Sequence, residues 1–228
     1  MTATKTTVSA VIVAAGNSTR MGVPKQFLLL QGRPLLAHTL AAFQNSDAVH
    51  EIIVVARCED IKTVQELAQT QGITKLKQVV VGGNSRQESV WRGVQACESC
   101  AGYIAVHDGA RPLVTPEIIR RVVTAAAEYG AAAAAVPTKD TVKRVDKNGF
   151  VLETPPRETL WNVQTPQIFE RELYLRAAAH MAESGLAVTD DCQMVEALGH
   201  RVKLVEGSYT NIKITTPEDV QIAEEWLQ

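Results

Sequence analysis

The chain has 228 residues, of which 46% are hydrophobic and 21% charged, as is usual for a globular protein. Twenty-three lysines and arginines stand against 25 aspartates and glutamates, and this net charge of −2 excludes broad-surface binding of nucleic acid, which needs many cations against phosphates. The longest apolar run, Ala131–Val136, is far shorter than the roughly 20 residues that span a bilayer, so we expect no membrane partner.

Five short apolar runs predict the strands of a sheet. They are Val8–Ala14, Glu51–Ala56, Gln78–Val81, Tyr103–Val106 and Ala131–Val136. Because the runs are continuous rather than alternating, we expect strands that are buried on both faces.

Segments with helical periodicity lie between and after these strands. They are Pro34–Phe43, Ser85–Val94, Thr115–Tyr129, Glu170–Glu183, Asp190–Leu198 and Pro217–Leu227. Ser85 and Glu88 have the spacing of a capping box, and Thr115, Pro116 and Gly130 mark the two ends of one helix. The alternation of strands and helices predicts an α/β fold, Rossmann-like, with three α/β/α layers and a mostly parallel sheet.

Residues 137–156 interrupt this alternation. Thr141–Val145 and Phe150–Glu153 flank the turn sequence Lys147-Asn148-Gly149, which predicts a protruding β-hairpin. A hairpin alone is marginally stable in water, so we expect this arm to lie against its own domain or a second subunit.

Length and cysteine content predict one intracellular domain. At about 150 residues per domain, the chain is best read as a single domain over residues 1–228. Its four cysteines, Cys58, Cys97, Cys100 and Cys192, do not form the framework of a secreted protein. We interpret them as free thiols in a reducing compartment and expect a cytoplasmic protein without a signal peptide.

The first chemical motif follows the first strand and runs from Ala14 to Lys25. Gly16 and Gly22 allow backbone N–H groups to approach an anion, while Arg20 and Lys25 add positive charge. The motif is neither a Walker A loop nor a G-x-G-x-x-G fingerprint. Since an ordinary turn needs only one glycine, two glycines with two cations favour an anion site over a plain turn.

Two further motifs follow the third and fourth strands. Gly82-Gly83-Asn84-Ser85-Arg86 opens a helix, whose N-terminus favours a polar or negative ligand, although a plain turn with an N-cap has the same pattern. His107-Asp108-Gly109-Ala110-Arg111-Pro112 puts Asp108 at a strand end, where it can hold Mg²⁺ beside phosphates or simply cap a turn. We interpret His107 as a structural hydrogen-bonding residue. Three such loops at the carboxyl edge of a parallel sheet predict one ligand site.

Together these motifs resemble the nucleotidyltransferases that activate sugars and sugar alcohols. With Gln26-Phe27, Thr165-Pro166-Gln167 and Asn211-Ile212-Lys213, the chain is similar to the 2-C-methyl-D-erythritol 4-phosphate cytidylyltransferase family from about Val8 to Trp226. The resemblance implies that CTP and 2-C-methyl-D-erythritol 4-phosphate give 4-CDP-2-C-methyl-D-erythritol and pyrophosphate in the non-mevalonate (MEP) pathway of isoprene biosynthesis. It also implies Mg²⁺, or another divalent cation, as cofactor.

The resemblance assigns roles residue by residue. Catalysis would fall to Arg20, Lys25 and Lys213. CTP would be bound by Ala14, Ala15, Gly16, Arg20, Lys25, Gly83, Asn84, Ser89, Asp108 and Gly109, with Asp108 also holding the metal. Methylerythritol phosphate would be bound by Arg111, Thr141, Arg157, Thr165, Thr189 and Lys213. Family members often have aspartate where Asn84 stands. The family is a homodimer with exchanged arms, so Thr141 and Arg157 would act in the partner's site.

The implied nucleophile is the substrate's own phosphate oxygen, so no protein nucleophile or general base is required, and we find none at triad spacing. Catalysis then consists of positioning two polyanions and stabilising charge on the α-phosphate. Three alternatives remain: a ribitol-5-phosphate cytidylyltransferase, a guanylyltransferase for molybdenum cofactor and an inactive nucleotide-binding regulator. The HDGARP stretch and the region of Thr189 favour the methylerythritol acceptor. We expect no fused cyclase domain after the last helix.

Overall fold

The computed structural model describes residues 7–16, 24–184 and 188–227. Its strands are β1 Val8–Val13, β2 Leu29–Leu30, β3 Arg33–Pro34, β4 Val49–Ala56, β5 Leu76–Val81, β6 Tyr103–Asp108, β7 Ala131–Pro137, β8 Arg144–Val145, β9 Val151–Glu153, β10 Trp161–Glu170 and β11 Lys203–Glu206. Its α-helices are α1 Leu35–Gln44, α2 Ile61–Thr70, α3 Arg86–Gln95, α4 Pro116–Tyr129, α5 Arg171–Ser184, α6 Asp191–Glu196 and α7 Pro217–Trp226. Short 3₁₀ turns cover Lys25–Phe27, Cys58–Asp60 and Arg157–Thr159.

Seven strands form the central sheet, in the order β11-β7-β10-β6-β1-β4-β5. Strand β10 runs antiparallel to β6 and β7, and the remaining neighbours are parallel. The prediction of a mostly parallel sheet is therefore confirmed.

Helices cover both faces of this sheet, and the sheet separates two hydrophobic cores. Ala10 and Ile12 of β1 pack with residues of α1, α2 and α4 on one face. Val11, which points to the opposite face, packs with residues of α3, α5 and α6. Burial of these apolar side chains away from water is the main favourable contribution to the free energy of folding. The predicted three-layer α/β/α architecture is confirmed.

Five strands and helices were missing from the sequence prediction: the two-residue strands β2 and β3, and α2, β10 and β11. Strand β10 was overlooked because it contains Pro166, and proline inside a run argues against a central strand. The structure accommodates Pro166 at a register shift between Val163 and Gln167, where pairing with β7 is interrupted. Strand β11 has only four residues at the edge of the sheet, too few for a periodic signal.

The predicted caps are largely confirmed. The Ser85 hydroxyl accepts the Glu88 N–H at 3.0 Å, but the Glu88 carboxylate accepts the N–H of Asn84, at 2.7 Å, rather than that of Ser85. Thr115 caps α4, and Gly130 ends that helix with a φ of +79°. Helix α6 is shorter than predicted, because it ends at Glu196.

The predicted hairpin is present as a separate two-stranded sheet of β8 and β9, outside the seven-stranded sheet. Its strands are shorter than predicted. The Asp146 carboxylate closes the turn by accepting the N–H groups of Asn148 and Phe150, both at 2.9 Å. Phe150, at 72% exposure, projects an apolar ring into solvent. Within the described ranges, no helix is long and apolar enough to cross a bilayer.

Candidate active site

The carboxyl ends of four parallel strands meet at one edge of the sheet. Val13 at the end of β1 pairs with Val55 of β4 on one side and with Asp108 of β6 on the other. Ala56 in turn pairs with Val81 at the end of β5. The loops that follow these strands therefore converge, and they enclose a cavity of about 630 Å³.

Most of the predicted nucleotide site lines this cavity. The lining includes Ala14, Ala15, Gly16, Lys25, Gly83, Asn84, Ser89, Asp108, Gly109 and Lys213. Arg20, predicted to bind CTP and to act in catalysis, lies outside the described residues. The first three motifs thus lie at a common cavity, together with a lysine from a segment more than 100 residues further along the chain.

Close backbone approach explains the first glycine of the second motif. A Cβ at Gly82 would lie 2.4 Å from the Cβ of Ala15, so any larger residue would push the first and second motifs apart. The next residue, Gly83, donates its N–H to the hydroxyl of Ser89 at 3.0 Å, and that hydroxyl donates to the carbonyl of Ser85 at 2.8 Å. Ser89 therefore fixes the shape of this loop.

Asp108 is the electrostatic centre of the cavity. Its carboxylate lies 2.9 Å from the Lys213 ammonium, 3.6 Å from Nε of Arg111 and 3.8 Å from Nε of Arg86. Burial opposes ionisation, but attraction from Lys213 and Arg86, with a smaller part from Arg111, outweighs it and lowers the pKa of Asp108 to about 2. Asp108 is therefore a carboxylate at any physiological pH.

Behind Asp108, a buried hydrogen-bond chain holds the strand end in place. The Thr165 hydroxyl accepts the N–H of Asp108 at 3.0 Å and lies 3.0 Å from Nδ1 of His107. Burial lowers the pKa of His107 to about 3, so the imidazole is neutral and Nδ1 accepts from Thr165. Its Nε2 lies 3.4 Å from the carbonyl of Arg111 and is oriented to donate to it. The structural role expected for His107 fits this arrangement.

Lys25 is held by a turn that is anchored from two sides. Its ammonium donates to the carbonyl of Ile214 at 3.0 Å, in the segment that carries Lys213. The next side chain, Gln26, is buried and donates to the Asp60 carboxylate at 2.8 Å. The same carboxylate accepts from Arg57 at 2.7 and 3.0 Å. Arg57 also lines the cavity and was missed by sequence reasoning.

Arg86 is a second cavity residue to which the sequence analysis assigned no role. It lines the cavity and donates to Asp191 at 2.7 Å, and Asp191 also accepts from the Tyr174 hydroxyl at 2.9 Å. Burial lowers the pKa of Arg86, but its attraction to Asp191 and Asp108 outweighs that effect and raises the value. Arg86 was visible in the second motif, whereas its partner, 105 residues away, had no sequence signal.

Five predicted acceptor-site residues do not line this cavity. Arg111 and Thr165 lie behind Asp108, where Arg111 donates to the carbonyl of Asn211 at 2.7 Å. Thr141 and Arg157 are exposed at the arm, and Thr189 is exposed before α6. Their roles in acceptor binding stay predictions.

The chemistry of Asp108 fits a divalent cation beside phosphates. Mg²⁺ is commonly bound by one or two carboxylates, with substrate phosphates and waters completing its shell. The ionised Asp108 supplies one such oxygen donor at the cavity wall. Among the described residues, no group of three or more His, Cys, Asp or Glu side chains is placed to hold a metal by itself.

A family model matches almost the whole chain. The model of the 2-C-methyl-D-erythritol 4-phosphate cytidylyltransferase family matches residues 8–228. A protein of that name from Caldanaerobacter subterraneus subsp. tengcongensis is 47% identical, over 97% of this chain and 99% of the relative. One from Desulforamulus reducens is 48% identical, over 96% of this chain and 95% of the relative.

Solved structures agree with the sequence matches. The 4-diphosphocytidyl-2C-methyl-D-erythritol synthase of Anaerococcus prevotii is 33% identical and superposes with a TM-score of 0.88, over 97% of this chain and 96% of that one. The 2-C-methyl-D-erythritol 4-phosphate cytidylyltransferase of Thermus thermophilus is 36% identical with a TM-score of 0.77, over 96% and 97% of the two chains.

Proposed function

Because the chain belongs to the 2-C-methyl-D-erythritol 4-phosphate cytidylyltransferase family, we infer that it is the nucleotidyltransferase that joins CTP to 2-C-methyl-D-erythritol 4-phosphate. The products are 4-CDP-2-C-methyl-D-erythritol and pyrophosphate, and the reaction belongs to the MEP route of isoprenoid biosynthesis. The cavity at the carboxyl edge of the sheet supports this function, because Lys25, Lys213 and Asp108 line it together with two glycine-containing loops.

The reaction is an in-line displacement at the α-phosphorus of CTP. An oxygen of the acceptor's phosphate forms a new P–O bond, the bond from the α-phosphorus to the bridging oxygen breaks, and pyrophosphate leaves with that electron pair. No proton has to be removed from the nucleophile, because a phosphate monoester already carries negative charge near neutral pH. The protein therefore has to align two polyanions that repel each other and stabilise the charge that develops between them.

We propose that Lys25 and Lys213 stabilise that charge, together with Arg20. The ammonium of Lys25 is oriented by the carbonyl of Ile214, and that of Lys213 by the Asp108 carboxylate. Preorganised cations of this kind need no rearrangement at the moment of reaction, which is why they stabilise a transition state more than they stabilise the bound substrates. The backbone of Ala14, Ala15 and Gly16 would bind the triphosphate, and the Gly83 loop shaped by Ser89 would bind the nucleoside.

We further propose that Asp108 holds Mg²⁺ when CTP is bound. The ion would supply charge neutralisation at the phosphates. The protein's own contribution is a carboxylate that stays ionised because Lys213 and Arg86 lower its pKa. The phosphates of the substrate would provide further oxygen ligands.

The acceptor site is proposed to be completed by a second copy of the chain. Thr141 and Arg157 are exposed at the arm and do not line this chain's own cavity. The arm also exposes the apolar side chains of Phe150, Val151 and Leu152, at 72%, 57% and 56%. Burying such a patch against another subunit would remove apolar surface from water, which favours association.

A cytoplasmic location is proposed on chemical grounds. All four cysteines are free, and two of them, Cys97 and Cys192, are buried. Burial raises the pKa of Cys97 to about 12, which leaves its thiol protonated and unreactive. Free thiols of this kind are typical of proteins in a reducing compartment.

The proposal is tested by measuring pyrophosphate release from CTP with 2-C-methyl-D-erythritol 4-phosphate and, in parallel, with ribitol 5-phosphate. GTP replaces CTP in one control, and Mg²⁺ is removed in another. We expect release only with CTP, methylerythritol phosphate and Mg²⁺ together. Equal or faster release with ribitol 5-phosphate would favour that acceptor instead, and no release with any acceptor would favour a nucleotide-binding regulator.

A further inference from the structure

Lys213 lies in a segment without regular secondary structure, between the end of β11 and the start of α7. Its ammonium nevertheless lies 2.9 Å from the Asp108 carboxylate. A flexible lysine on an unanchored loop would populate many positions, and each ordered rotamer-rich side chain costs conformational entropy. Something in the neighbouring residues must therefore hold this segment in place.

Asn211 provides the anchor. It is completely buried, although it lies only two residues before Lys213. Its side-chain amide donates to the carbonyl of Thr165 at 2.9 Å and to the side-chain oxygen of Gln164 at 3.2 Å. Its own backbone carbonyl accepts from Arg111 at 2.7 Å. One residue thus ties the segment both to β10 and to the loop that follows β6.

Two of the partners of Asn211 also contact Asp108. Thr165 accepts the N–H of Asp108 through its hydroxyl, while its carbonyl accepts from Asn211. Arg111 lies 3.6 Å from the Asp108 carboxylate and donates to the Asn211 carbonyl. Thr165 and Arg111 therefore contact both Asp108 and the residue that anchors the Lys213 segment.

A third connection reaches the first motif. The N–H of Ile214 donates to the carbonyl of Ala110 at 2.8 Å, and the carbonyl of Ile214 accepts from the Lys25 ammonium at 3.0 Å. Because Ile214 has this anchor of its own at Ala110, we expect the carbonyl that orients Lys25 to keep its place when the Asn211 side chain is changed.

We propose that Asn211 is a positioning residue, whose buried amide sets the Lys213 ammonium against Asp108 and the transferring phosphate. The inference rests on the proposed function, because Lys213 is its point of action. Asn211 is completely buried and does not line the cavity, so we expect its effect to pass through Lys213 and the segment that carries it. Loss of a residue that orients a metal ligand typically lowers metal affinity or activity about 10- to 100-fold, and we expect a loss of the same order for a residue that orients a catalytic lysine.

The test begins with Asn211→Asp. Aspartate has the same shape but cannot donate to the two oxygens that the amide faces, so the segment should shift. We expect kcat to fall about 10- to 100-fold, while the KM for CTP changes less than about threefold, because the triphosphate and nucleoside loops are untouched. Thr210→Ala, which truncates an exposed neighbour in the same segment, is the control and should leave kcat unchanged.

A double-mutant cycle separates positioning from a general structural role. In a Lys213→Ala background, Asn211→Asp should lower kcat by less than about twofold, because the group it positions is gone. If both variants reduce kcat independently, so that the losses multiply, the proposal is overturned. Wild-type kcat in a folded Asn211→Asp protein would overturn it equally.

Folding and function are controlled separately. Circular dichroism and thermal melting establish whether each variant folds, and Asn211→Ser, which keeps one donor in a smaller side chain, replaces the aspartate variant in the cycle if that one unfolds. Absence of pyrophosphate release by the wild-type protein would overturn the proposed function and this inference together. If the wild-type protein turns over but the kcat losses of the Asn211 and Lys213 variants multiply, the inference alone is overturned.

Discussion

Replacing Asp108 with asparagine removes a carboxylate that faces Lys213, Arg86 and Arg111. Burial raises the pKa of this carboxyl, but the three cations lower it by more than burial raises it, so the pKa falls from 3.8 to about 2. Since one pKa unit corresponds to about 1.4 kcal/mol, ionised Asp108 should stabilise the folded protein by about 2 kcal/mol at neutral pH. Asp108 is only 7% exposed, so solvent screens this interaction little.

The direction of the pH dependence follows from the depressed pKa. A carboxyl whose pKa is lower in the folded than in the unfolded state stabilises the fold above the unfolded value of 3.8, and the gain is lost as the pH falls through about 2. About half of the contribution should already be gone near pH 3. Asparagine has no proton to gain, so the variant lacks this dependence.

The assay is urea unfolding of the wild-type protein and of Asp108→Asn, followed by circular dichroism from neutral pH down to about pH 3. We expect the difference in unfolding free energy between the two proteins to shrink by about 1 kcal/mol over that range. Asp140→Asn, which changes an exposed carboxylate of the arm, is the matched control. A difference between wild type and Asp108→Asn that stays constant down to pH 3 would refute the electrostatic reasoning.

Three further predictions concern binding, assembly and the metal. Gly82→Ala should raise the KM for CTP about tenfold, because the new Cβ would lie 2.4 Å from the Cβ of Ala15. The control is Gly102→Ala, whose Cβ would lie 3.9 Å from its nearest neighbour and should leave the KM unchanged. A wild-type KM in Gly82→Ala would contradict the close approach of the two loops. Mixed dimers of an Arg157→Ala subunit with an Arg20→Ala subunit should recover part of the activity that each homodimer lacks, and no recovery in a verified heterodimer would argue against shared sites. Chelation of divalent cations should abolish turnover, and re-addition of Mg²⁺ should restore it.

Topology places the three loops of the first motifs at one site, whereas Lys213 was assigned to the site by the family resemblance. Residues that follow parallel strands lie at one edge of the sheet, so the loops after Val13, Val81 and Asp108 could be assigned to a common site from the sequence. Local spacing also identified the caps at Ser85 and Thr115, because capping uses residues three positions apart.

The parts that escaped depend on contacts between distant residues. The pair of Arg86 and Asp191 spans 105 residues, and no local pattern marks it. Strand β10 was hidden by Pro166, which the sheet tolerates only because its pairing with β7 breaks at that point. The anchoring of Gln26 by Asp60 likewise depends on tertiary packing.

We propose that two lysines, rather than a protein nucleophile, stabilise the transfer of the cytidylyl group. Steady-state kcat for pyrophosphate release from CTP and 2-C-methyl-D-erythritol 4-phosphate measures this role when wild type, Lys25→Ala and Lys213→Ala are compared. Lys62→Ala, which removes an ammonium that is exposed on α2, serves as the control. We expect each of the two cavity variants to lose about 10²-fold or more in kcat, the effect of removing one transition-state donor, and the control to lose nothing. Near-wild-type kcat in both Lys25→Ala and Lys213→Ala would contradict the mechanism.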